Sequence, residues 1–171
     1  MTLPALEGAR WVVRSTTDRL LRIATDFFAE QGFAVRESAF ADTADEAGWI
    51  AVALEASGRG AAAHRRSRLA SFLAGRREEP SRSDTPQVVI IATARRVSNG
   101  IAELVVYPHA APESAPAIVE TAAAPIAAAL AAITSAAGAE SAMLSHERLR
   151  SVPEDECPAS DARARDVLGW R

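Results

Sequence analysis

Seven arginines, Arg59, Arg65, Arg66, Arg68, Arg76, Arg77 and Arg82, share a 24-residue stretch with His64 and only two acids, Glu78 and Glu79. Guanidinium groups fork onto carboxylates and phosphates, so this +5 segment is suited to holding an anionic partner. If residues 62 to 77 form a helix, Arg65, Arg68 and Arg76 flank Leu69, Phe72 and Leu73. Such an amphipathic element can lie on an anionic membrane or dock on an acidic protein. The same guanidiniums could meet nucleic-acid phosphates with a salt-dependent affinity, although no regular aromatic interleaving accompanies them. The plainer reading is a solvated helix that packs Leu69, Phe72 and Leu73 on its own sheet.

Other reactive residues are dispersed. His64, His109 and His146 fall in separate segments with no i, i+4 pair, so the spacing outlines no metal site. Cys157 follows Glu154, Asp155 and Glu156, whose charges disfavour a thiolate, and as the only cysteine it has no internal disulfide partner. Asp42, Asp45 and Glu46 lack the central glycine and bidentate glutamate of a calcium loop. The turn SGRG at 57–60 could cradle an anion with its amides and Arg59, but an ordinary glycine-bearing loop accounts for it as well. Neither a nucleophile elbow nor a phosphate or dinucleotide loop is present. No catalytic residue and no cofactor are therefore assigned, and a binding domain is favoured over an enzyme.

Charge is segregated along the chain. Residues 1–58, 59–96 and 97–171 carry −4, +6 and −5, although the net charge is only −3, and all 19 basic residues are arginine. Alanine supplies 39 of 171 residues, so close helix packing is easy, but core stability must come from Val, Ile, Leu and Phe. The length suits one domain. The N-terminal MTLPALEGAR lacks both a basic region and an apolar run, which predicts a cytoplasmic protein without a secretory signal. Residues 121–139 carry no charge over about the span of a bilayer, yet Pro125, Gly138 and the hydroxyls weaken insertion. Ile118, Ala122, Ile126, Leu130 and Ile133 instead predict a helix with one core-facing stripe, which Pro125 should kink or divide.

The elements that must position these residues follow from periodicity. Residues 10–14 read as a strand and Thr17–Gln31 as a helix capped within Ser15–Asp18 and ended by Gly32, with Phe33 folded back on the last turn. Strands follow at 33–40 and 49–55. Asn99-Gly100 between 87–96 and 101–107 predicts a two-residue hairpin. Pairing Ser98 with Ile101 then sets Arg96 opposite Glu103 and Arg95 opposite Leu104. Both hairpin faces are apolar, so something must cover each, and a second copy of the chain is one option.

The order strand, helix, strand, strand, insertion, strand, strand, helix predicts an α+β fold, an antiparallel sheet of about five strands with its helices mainly on one face. Residues 1–138 form the expected domain, interrupted by a partly flexible arginine-rich insertion at 59–86. Residues 139–171 are expected to be a loosely docked tail with a short helix. In element order the chain resembles helix-grip and TATA-binding-protein-like architectures, or, if 62–75 is helical, secretion-chaperone-like folds. No motif accompanies that resemblance, so it transfers no functional residue. The leading expectation is an interaction domain that contacts an acidic protein, nucleic acid or anionic lipid through Arg59 to Arg82. The alternative is a carrier or degenerate enzyme with a pocket between the long helix and the sheet, where His109 would be the polar group.

Overall fold

A computed structural model describes residues 6–35, 48–56, 88–111, 114, 116–139, 142–150 and 165. The arginine-rich segment 59–82, the acidic loop 41–47 and Cys157 lie outside the described residues. The fold is α+β: a six-stranded antiparallel sheet with two helices. In chain order the elements are β1 (Gly8–Val13), α1 (Thr17–Glu30), β2 (Phe33–Val35), β3 (Ile50–Ala56), β4 (Val88–Ser98), β5 (Ile101–Ala110), α2 (Pro116–Ala139) and β6 (Met143–Leu149). The sheet order is β2-β3-β4-β5-β1-β6.

Helix α1 forms where the periodicity predicts. The Thr16 hydroxyl caps it by accepting from the Arg19 amide at 3.3 Å, which satisfies one of the first-turn donors. Gly32 closes the other end at φ +88°, where a Cβ would be strained, and donates its N–H to Ala29 O. Phe33 turns back edge-on to Phe28, with 5.5 Å between ring centroids. Leu20, Leu21, Ala24 and Phe28 are buried, so the apolar stripe meets the sheet.

Helix α2 runs unbroken through Pro125. Proline removes only the hydrogen bond that would reach the Thr121 carbonyl, and Thr121 is exposed, so water can satisfy that acceptor. Segment 116–138 is long and apolar enough to cross a membrane, with mean hydropathy 1.7. Here one stripe of it packs on the sheet. That stripe is Val119, Ala122, Ile126, Ala129 and Ile133, a 3-4-3-4 spacing, whereas Ile118, expected to be in the core, is 41% exposed.

The hairpin forms around Asn99-Gly100 and pairs Ser98 with Ile101, but its register beyond the turn differs from expectation. An extra residue, Val97, bulges out of β4 between the Arg96–Ala102 and Ser98–Ile101 pairs and is 53% exposed. The bulge shifts the pairing by one position, so Arg95 faces Glu103 and Ala94 faces Leu104. Residues 143–149, expected in a loosely docked tail, are a sixth strand paired with β1 along its whole length. A second bulge interrupts that pairing at Leu144, between Val13–Met143 and Val12–Ser145.

Alternation along the strands divides the core. Ala9, Trp11, Val13, Val52, Leu54, Ile90, Ala92, Leu104 and Val106 face the helices. Helix α1 lies over β2 to β5 and touches α2, which reaches β1, β4 and β6. The opposite face is also buried, including Ala53, Val89, Ile91, Thr93 and Val105.

Candidate functional site

A groove of about 550 Å³ opens between α2 and the β1–β6 border of the sheet. Its helix wall consists of Ala123, Ile126, Ala127, Leu130 and Ala131, with the hydroxyls of Thr134 and Ser135 at one end. Alanines at 123, 127 and 131 recur every fourth residue, so one line along α2 projects only methyl groups. Leu6, Gly8 and Ala9 add small or apolar groups from the strand side. Space remains because neither wall carries side chains large enough to close it.

The polar groups gather at the strand rim and at one end. His146 and Arg148 alternate on β6 and are paired across the ladder with Trp11 and Ala9 on the helix-facing side. The His146 ring stacks on Trp11 at 5.7 Å and 20°. Trp11 is buried, and its indole Nε1 donates to Thr134 Oγ1 at 3.0 Å. That hydroxyl in turn donates to the Leu130 carbonyl at 2.9 Å. Its hydrogen and an acceptor position are thereby committed, and the Trp11–Thr134 bond pins α2 to β1 beside the groove. Glu7 stands on the same rim, 3.9 Å from Arg148, whose side chain is 81% exposed. A pair so solvated contributes about 0–1 kcal/mol, leaving the guanidinium available to a better partner.

His109, expected to serve the pocket, does not line it. Odd-numbered residues of β5 point to the other side of the sheet, where His109 is buried edge-on to Tyr107 at 5.2 Å. The histidine at the groove is His146, a residue whose helix-or-strand ambiguity hid its side of the sheet. The parity of Trp11 and Leu104, both evident core residues, was the available signal for His109. His109 and His146 occupy opposite faces, so the sheet separates them.

That second face carries a charge cluster. Glu103 is 1% exposed and lies between Arg10, which contacts its Oε1, and Arg95, whose Nε donates to Oε2 at 2.8 Å. Arg95 also stacks over Trp49, 4.5 Å from the ring centroid. A carboxylate buried this deeply is tolerated because two guanidiniums compensate its lost hydration. Nearby, burial pushes the Tyr107 hydroxyl pKa upward, and that hydroxyl donates to the Arg150 carbonyl at 2.9 Å. These groups are engaged with one another and read as structural.

Compared with protein-family models, curated proteins and solved structures, the chain finds no match.

Proposed function

We propose that the protein is a carrier of small apolar ligands, held in the groove between α2 and the β1–β6 border. The observation behind this reading is the groove itself: about 550 Å³, walled by Ile126, Leu130 and three alanines, with polar side chains restricted to its rim and one end. Small-molecule sites have this size and this mostly apolar lining with a few placed polar groups. The Thr134 hydroxyl is committed to Trp11 and Leu130, so it fixes the helix against the sheet beside the groove.

Anilinonaphthalene sulfonate fluorescence tests the reading. The wild-type chain should enhance it saturably. Ala127→Trp, at an exposed position in the groove wall, should weaken binding by at least about tenfold, equivalent to about 1.4 kcal/mol. Ala128→Trp, exposed but outside the groove, should leave it unchanged. Equal binding by all three proteins would place the dye elsewhere and remove the groove from the account.

A second proposal concerns Arg59 to Arg82 and rests on their charge density of +5 in 24 residues. This segment would engage an anionic partner. Titration with nucleic acid and with anionic vesicles should give complexes that weaken between low and moderate salt. Failure to bind either would leave only an acidic protein as partner.

A further inference from the structure

We propose that the groove selects amphiphiles ending in a carboxylate, the tail lying along α2 and the head held by His146 and Arg148 on β6. This deepens the carrier reading and rests on it. The two walls differ in chemistry. Helix α2 has no charged residue between Thr121 and Ala139 and offers the groove only the hydroxyls of Thr134 and Ser135 as polar groups, so a charged head finds no counter-ion on that side, whereas Ile126, Leu130 and the alanines suit an alkyl chain.

Both basic groups of the rim project from one face of a single strand. As residues i and i+2 their Cα atoms are about 7 Å apart, a separation that long side chains bridge onto one small anion. Stacking on Trp11 fixes the His146 ring plane, and Arg148 supplies the fork that matches the two oxygens of a carboxylate. The acid on this rim, Glu7, is 3.9 Å from Arg148 and 41% exposed, a loose pairing that a bound carboxylate can displace.

Calorimetric titration of the full chain with decanoate, decanol and decyltrimethylammonium, each below its aggregation concentration, provides the test. Decanoate should bind at least about tenfold more tightly than decanol. Arg148→Gln should reduce decanoate binding to the level of decanol, and Glu7→Gln should strengthen decanoate binding by freeing the guanidinium. Arg148 is too exposed for its replacement to threaten folding. Equal affinity for decanol and decanoate, or a preference for the cation, would overturn the head-group assignment and leave the carrier reading standing. If none of the three binds, the carrier reading fails and this inference fails with it.

Discussion

Gly8→Ala is expected to destabilise the protein by about 3 kcal/mol, lowering the thermal midpoint by about 6–12 °C. A Cβ at Gly8 would lie 2.5 Å from the Tyr107 ring and 2.5 Å from the Val106 carbonyl oxygen. The ring could swing away, but it would then break the Tyr107 hydrogen bond to the Arg150 carbonyl. The carbonyl belongs to β5, the strand next to β1, so it can move only if the pairing of those strands is distorted. Calorimetry of Gly8→Ala and of Gly8→Ala with Tyr107→Ala separates the two clashes. The second change should relieve the ring contact only and recover part of the loss at most. A midpoint within about 2 °C of the wild type, less than 1 kcal/mol for a chain of this size, would show that β1 and β5 do not approach as closely as described.

Glu103→Ala should cost about 2–4 kcal/mol in urea unfolding. Breaking a buried ion pair costs about 3–5 kcal/mol, and the lower figure allows for the partial hydration of Arg10 and Arg95, 24% and 31% exposed. The loss arises because two guanidiniums remain against an apolar sheet face without their carboxylate. Removing all three charges, with Glu103→Met, Arg10→Met and Arg95→Met, should recover most of it, since apolar packing can replace a buried ionic group at little net cost. Were the triple variant as unstable as Glu103→Ala, the cluster would be holding the sheet by some means other than charge compensation.

This cluster also shows how far the sequence could be read. Asn99-Gly100 located the hairpin, and the pairing at the turn follows expectation because local turn chemistry determines it. Which arginine meets Glu103 depends on the bulge at Val97, and a surface-exposed valine in a strand has no sequence signature. The caps of α1 were legible for the same local reason as the turn: Thr16, Gly32 and Phe33 act within a few residues of the helix they terminate. The stripe of α2 was legible at Ala122, Ile126 and Ile133 but not in its first turn. Ile118 and Val119 are equally apolar, and only the position of the sheet decides which is buried.

Of the groove, the small side chains of α2 and the helix-against-sheet arrangement were foreseen; its rim was not. His146 and Arg148 belong to MLSHERL, a polar run between apolar ends with neither the alternation of a strand nor the stripe of a helix. Long-range pairing with β1 resolved the ambiguity, a contact between residues at least 130 positions apart. Nothing local to either segment encodes that contact.

Strand β6 borders the sheet, and a border is where a β-protein is exposed to runaway growth by recruitment of further chains. Leu144 distorts its start, and Ser145 to Arg148 present hydroxyl, imidazole, carboxylate and guanidinium groups in succession. A rim so irregular and so hydrated is a poor template for fibrils. The groove can therefore keep its open, greasy mouth beside this rim without the molecule becoming a seed for its own precipitation.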